Sequence, residues 1–248
     1  MNKAKEQRQF MKSKFGKNES FSSDQMEGKP QPPLTNSVVN PDNVIVLPEF
    51  GEDIFVKTHI LDIINDRISH RKFKNESISL EELSFLLWST QGVKSVVGEN
   101  YATMRTVPSA GARHPYETNL MINNVRGLKR GIYRYLPLTH QLEYVYTPDD
   151  MVQTITQAAR KQKFAGDCAV TFIWSVVPYK GEWRYNEESH KPMLLDAGHI
   201  CQNLYLACET IGCGTCAIAA YDQDLLDELL QLDGDDHFSV YLSPVGKV

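Results

Sequence analysis

Apolar positions recur at helical spacing from Phe55 to Asp66, which predicts a first helix. Ser79-Leu80-Glu81-Glu82 then sets a serine three residues ahead of a glutamate and opens an apolar run to Trp88, the pattern of a capping box at a helix start. The pattern lapses from Gln91 through Val107, where a loop is expected. Leu120 to Asn123 reads as a strand, and Gly131 to Tyr135 with Gln141 to Tyr146 read as a hairpin around Leu136-Pro137-Leu138-Thr139-His140. Helical spacing returns from Asp150 to Gln162. Ala169 to Val177 is an unbroken β-prone run, the mark of a strand buried on both faces. A long helix from about Pro192 to Ile211 follows, then a Gly-rich turn and a short strand from Cys216 to Ala220. Asp222 caps a helix to Leu232, and Phe238 to Leu242 makes a last strand. Strands interleave with helices but include a hairpin, so the class is α+β with a mixed sheet.

Residues 1–52 break from this pattern. They are polar, carry Lys29-Pro30-Gln31-Pro32-Pro33 and Asn40-Pro41-Asp42-Asn43, and show no periodicity. That composition predicts an extended arm lying over, or trailing from, a domain at 53–248. The net charge of −5 argues against general binding to nucleic acid or anionic membrane. No apolar run follows the basic start, and none reaches the roughly 18 residues of a membrane span. The richest candidate, Met193 to Ile211, carries Asp196, His199, Gln202, Asn203 and Glu209. Five cysteines, an odd number, read as reduced thiols in a cytoplasmic protein rather than a disulfide framework.

Four segments carry candidate chemistry. Arg67-Ile68-Ser69-His70-Arg71-Lys72-Phe73 lies just past a helix end, where Arg guanidiniums and a Ser hydroxyl suit a phosphate; on these residues alone a solvated basic turn is the simpler reading. Arg105-Thr106-Val107-Pro108-Ser109-Ala110-Gly111-Ala112 strings small residues past a proline, so backbone groups can approach a flat ligand closely, or the stretch is a plain loop. Gly212-Cys213-Gly214-Thr215-Cys216 contains a Cys-x-x-Cys. A zinc site would want a second ligand pair, which is missing, and a thioredoxin-type pair opens a helix whereas this one closes a helix. A helix C-cap explains its glycines, and a flat ligand resting on the turn is also compatible with them. Ser243-Pro244-Val245-Gly246-Lys247, taken alone, is a strand end with a terminal lysine.

Together these segments resemble the nitroreductase family, and within it the azoline oxidases that aromatise thiazoline and oxazoline rings in modified peptides. The likeness is carried by Ser69 to Phe73, Leu80 to Leu83, Leu86 to Gly92, Arg105 to Ala112, Gly131 to Tyr135 and Leu194-Leu195-Asp196-Ala197-Gly198-His199-Ile200-Cys201-Gln202-Asn203-Leu204-Tyr205-Leu206-Ala207. It runs over residues 55 to 248. The resemblance implies a five-stranded mixed sheet wrapped by helices, with FMN held at the interface of an intertwined homodimer. Arg67, Ser69 and Arg71 would hold the phosphate and ribityl chain, with Lys247 assisting. Pro108, Ser109, Ala110 and Gly111 would line the isoalloxazine edge from the partner subunit, and Gly212, Cys213, Gly214 and Thr215 would press backbone on its opposite side. The polar residues Asp196, His199, Gln202 and Asn203 would satisfy one another across the dimer interface.

The family's proposed Lys-Tyr bases meet Arg184-Tyr185 here. Arginine keeps its proton at neutral pH and cannot act as a base, so Tyr185 is the remaining candidate for a proton relay, with a packed aromatic as the simpler role. The expected activity is an FMN-dependent oxidoreductase that takes hydride from NAD(P)H or an organic substrate and passes it to a small acceptor. An azoline peptide oxidase working with a cyclodehydratase partner is the alternative, and a non-catalytic flavin-binding protein a second one. No Rossmann fingerprint distinguishes NADH from NADPH.

Overall fold

The computed structural model describes residues 3–13, 15 and 21–248; residues 1, 2, 14 and 16–20 of the expected arm lie outside the described residues. In chain order the elements are α1 (Lys3–Gln7), β1 (Val44–Val46), α2 (Ile60–Asp66), α3 (Leu80–Gln91), β2 (Val93–Val97), β3 (Ala102–Arg105), β4 (Tyr116–Ile122), β5 (Gly131–Leu136), β6 (Gln141–Tyr146), α4 (Met151–Ala158), β7 (Val170–Val176), α5 (Tyr179–Tyr185), α6 (His190–Thr210), β8 (Cys213–Thr215), α7 (Gln223–Leu230) and β9 (Phe238–Lys247).

The α+β class holds, but the sheet differs from the expected five-stranded mixed one. It has seven strands in the order β1-β6-β5-β4-β7-β9-β8, and every ladder in it is antiparallel. The parallel contacts are isolated bridges, Ser69 to Thr215 and Ile78 to Val125. β1 comes from the arm and pairs with the free edge of the β5–β6 hairpin. β8 begins earlier than expected because Gly212 takes a left-handed φ of +65° directly after α6, so the chain is already extended at Cys213. The expected loop after Gln91 contains the β2–β3 hairpin, which turns through Gly98 at φ +64°.

The β7 run and the Leu120–Ile122 end of β4 follow from burial on both faces. Leu120, Ile122, Phe172 and Trp174 point to the core shared with α3 and α6, while their neighbours Met121 and Ile173 point to a second core under α4 and α7. Fully burying a side chain such as Leu86 or Phe172, both at 0% exposure, contributes about 1.5–3 kcal/mol. The capping box at α3 is formed: Ser79 Oγ accepts from Glu82 N–H at 3.1 Å and Ser79 N–H donates to Glu82 Oε2 at 2.8 Å. α5, which hydrophobic spacing does not reveal, is short and carries Gly181, where a Cβ would collide with Met193.

Between residues 21 and 50 the chain lies along the domain. Trp183 Nε1 donates to the Lys29 carbonyl at 3.0 Å, the Val39 and Asn40 amides donate to Glu143 Oε1 at 2.7 Å, and Ser84 Oγ donates to the Pro48 carbonyl at 2.6 Å. Among the described residues no helix is long and apolar enough to cross a membrane.

Candidate functional site

α2 ends where Arg67, at φ −53° and ψ 116°, turns the chain into an extended run. Ser69 bridges Thr215 at the outer edge of β8, and the His70 amide donates to the Thr215 carbonyl at 2.9 Å. Tyr205 of α6 pins the turn from below. Its hydroxyl lies 3.1 Å from Ser69 Oγ, accepts the Ala217 amide at 2.9 Å, and its ring sits 5.2 Å beneath the Arg67 guanidinium. Arg71 projects into solvent. Neither Arg67 nor Arg71 meets a carboxylate among the described residues, so one rigid turn presents two uncompensated guanidiniums and a hydroxyl. That donor set suits a phosphate ester.

Lys247, expected at the phosphate, and Cys213 to Thr215, expected against the ring, make their contacts within the chain. Lys247 Nζ donates to Glu82 Oε1 at 2.5 Å and to the Ile211 carbonyl at 3.0 Å. Burial disfavours its ammonium, but the Glu82 bond and the nearby Cys213 outweigh that and hold the lysine above its ordinary range. Cys213, Gly214 and Thr215 have both edges and both faces covered. β9 pairs with one edge, and Ser69 and His70 take the other. A Cβ on Gly214 would meet the His70 ring and Val248 at 2.6 Å, while Thr215 Oγ1 is held by Ser243 Oγ at 2.7 Å. The stretch supports the turn from behind. Its cysteines are out of reach of solvent. All five thiols are buried and unpaired, and burial pushes those of Cys168, Cys201 and Cys213 up to about 12.

The second cluster lies at the other end of α6. Pro108 is exposed and Ser109 to Gly111 are half-buried. Ser109 Oγ donates to Asp196 Oδ2 at 2.6 Å, and the Ala110 amide donates to the same oxygen at 3.3 Å. Tyr185, at the end of α5, closes over this loop: a Cβ on Gly111 would lie 2.6 Å from its hydroxyl and 2.9 Å from Arg184 Cδ. Arg184 Nη1 donates to Tyr101 Oη at 2.7 Å. Asp196 to Tyr205 spans roughly 13 Å along α6 at about 1.5 Å per residue, so the two clusters stand apart within one chain.

Within one chain the polar residues of α6 have separate surroundings. Asp196 serves the loop, Asn203 Nδ2 donates to the Ser89 carbonyl at 2.9 Å, and His199 and Gln202 face solvent. Asp196 and Tyr205 are thus the residues that tie the two clusters to α6, contacts that spacing alone does not reveal. Their signal was present, as polar atoms on the face of an otherwise buried helix.

At the far end of the loop His114 is 5% exposed. Burial and the neighbouring Arg105, Arg113 and Lys180 cations push it down to about 3. Its folded form refuses a proton that the unfolded chain accepts below about pH 6.5, so stability is lost as pH falls from there. The expected slope is about 1.4 kcal/mol per pH unit for this group. Urea unfolding at pH 7 and pH 5, compared with His114→Gln, measures it, and equal slopes in the two proteins would refute the assignment.

Residues 64–247 match the model of the nitroreductase family. The chain is 27% identical to a nitroreductase-family protein of Methanocaldococcus jannaschii over 75% of its own length and 89% of that protein. It is 26% identical to the trifolitoxin-processing protein of Rhizobium leguminosarum over 63% of its length and 44% of that protein. Among solved structures, a nitroreductase-family protein of Ralstonia eutropha superposes with a TM-score of 0.67 at 22% identity, over 88% of this chain and 98% of that one. A chain of the Escherichia coli microcin synthetase complex superposes at 0.61 and 19% identity, over 86% and 78%. The chain belongs to the nitroreductase family.

Proposed function

We propose that this protein is an FMN-dependent oxidoreductase acting as a homodimer, with NAD(P)H or an organic substrate as hydride donor and a small molecule as acceptor. The observation that carries the reading is the pinned turn with two uncompensated guanidiniums, in a chain of this family. Arg67, Ser69 and Arg71 grip the phosphate and ribityl chain, and Pro108 to Gly111 of the partner subunit line the ring edge. Thr215 and Tyr205 hold the turn rigid. The separation of the two clusters along α6 supports a site shared between two copies. So does the apolar surface of Ile60, Leu61, Ile64, Leu194 and Leu195, all about half exposed or more. FMN, when bound, supplies reversible hydride uptake, and Tyr185, over the loop, is placed to relay a proton. The unpaired thiols support a reducing, cytoplasmic compartment.

Arg71→Ala is expected to weaken FMN binding by about 1.5–3 kcal/mol and leave the fold intact. Fluorescence-quenching titration of apo-protein measures the change. An unchanged dissociation constant would return Arg71 to a solvated turn, and a wild type that takes up no FMN would remove the whole reading.

The likeness to a trifolitoxin-processing protein and to a microcin synthetase chain favours a second reading, an azoline peptide oxidase paired with a cyclodehydratase. Arg184 counts against it, since it cannot serve as a base. Oxidation of a thiazoline peptide in the presence of a cyclodehydratase, with no turnover of NAD(P)H alone, would establish that reading. FMN uptake with neither activity would instead mark a flavin carrier.

A further inference from the structure

The loop from Ser109 to His114 is held in a conformation it would not adopt unaided. Gly111, Ala112 and His114 all have left-handed φ, at +59°, +52° and +44°, and two of these carry a side chain that disfavours it. What holds it is a single carboxylate. Asp196 is 5% exposed, and its Oδ2 accepts both the Ser109 hydroxyl at 2.6 Å and the Ala110 amide at 3.3 Å. Ser109 Oγ in turn accepts the His114 amide at 2.9 Å. One hydroxyl therefore ties the start of the loop to its end, and that hydroxyl's proton is committed to Asp196.

We infer that Asp196 is a positioning residue, fixing the Ser109–Gly111 backbone in the shape that meets the flavin edge. The inference rests on the flavin reading given above. Its consequence shows in the amide inventory. Ala110 donates to Asp196, Ala112 to the Ser109 carbonyl, Arg113 to the Ala110 carbonyl and His114 to Ser109 Oγ. Between Ala110 and His114 the amide of Gly111 alone has no acceptor among the described residues. A half-buried N–H without a partner is the donor such a loop can offer a ligand. The Arg113 amide, donating to the Ala110 carbonyl at 3.2 Å, opposes turning that peptide over. Burial pushes the Asp196 carboxyl above the ordinary range, and the Ser109 and Ala110 bonds oppose that rise. The two bonds accepted by Asp196 Oδ2 and the loop conformation thus support each other.

The test uses the full-length chain as wild type, Asp196→Ala, Asp196→Asn and Ser109→Ala, with FMN as the probe. Hydrogen exchange of the loop amides is read without FMN, and the dissociation constant and visible spectrum of bound flavin are read with it. Asp196→Ala is expected to speed exchange at Ala110 and His114 at least about tenfold and to raise the FMN dissociation constant by a similar factor. Asp196→Asn keeps an acceptor oxygen and should recover part of both. If Asp196→Ala does not fold, Ser109→Ala carries the same comparison by removing the shared hydroxyl alone. Unchanged exchange overturns the inference, as does faster exchange with an unaltered dissociation constant and spectrum. A wild type that binds no FMN removes the flavin reading itself, whereas a wild type and variant that bind alike remove only the role of Asp196.

Discussion

Glu117→Gln is expected to lower the free energy of unfolding by about 3–5 kcal/mol, and the melting temperature by roughly 6–20 °C for a chain of this size. Glu117 and Lys180 form an ion pair at 2.5 Å, with side chains 4% and 3% exposed. Arg105 lies in the same region at 5% exposure, donating to Thr103 Oγ1 and Gln91 Oε1 but to no carboxylate. Burial lowers its guanidinium to about 10, opposed first by Glu117, which leaves it charged at neutral pH. One carboxylate therefore answers two buried cations. Glutamine preserves the volume and an acceptor for the Asn36 amide, so lost packing contributes little and the measured change reports uncompensated charge. Removing one partner of a buried pair is far more damaging than replacing both. Lys180→Met added to Glu117→Gln should accordingly recover a large part of the loss. Urea denaturation of the three proteins checks this, and a loss below about 1 kcal/mol in the single variant would mean that water reaches the pair.

What the sequence made legible followed the range over which each signal acts. The capping box at Ser79 and Glu82, the β7 run and the long α6 are set by neighbours within a few residues, and their bounds came out within a few positions. The antiparallel sheet was not legible, because β1 is strand only where Val44 to Val46 meet the edge of β6. The site shows the same division. Arg67, Ser69 and Arg71 read by themselves as a solvated basic turn, and only the family resemblance pointed them at a phosphate. That Tyr205 and Thr215 hold it depends on a helix and a sheet edge far along the chain, which spacing does not encode. The pairing of Lys247 was not legible for a related reason. Its cationic head has a nearer carboxylate in Glu82, whose other oxygen already closes the α3 capping box. The polar positions of α6 were visible, but the partner of Asp196 was not, since Ser109 comes to it only through the turn after β3.

Gly111→Val is expected to abolish tight FMN binding, raising the dissociation constant by tenfold or more, for two separable reasons. At φ +59° any side chain is strained by roughly 1–2 kcal/mol, and a β-branched one more. Independently, its Cβ would stand 2.6 Å from the Tyr185 hydroxyl and 2.9 Å from Arg184 Cδ, so either the loop or Tyr185 must move. Gly111→Ala, Tyr185→Phe and their combination separate these causes. Strain alone makes the two changes additive. Contact makes them couple, because Tyr185→Phe removes the atom that the new Cβ meets, and directly touching residues couple by about 0.5–3 kcal/mol. FMN titration and urea unfolding of the four proteins give the coupling in binding and in stability. If turnover falls in Gly111→Ala while FMN affinity holds, the displaced group is Tyr185, and its placement over the loop is the part of the site that chemistry requires. Additive effects in every readout would instead leave Tyr185 a packed aromatic with no part in proton transfer.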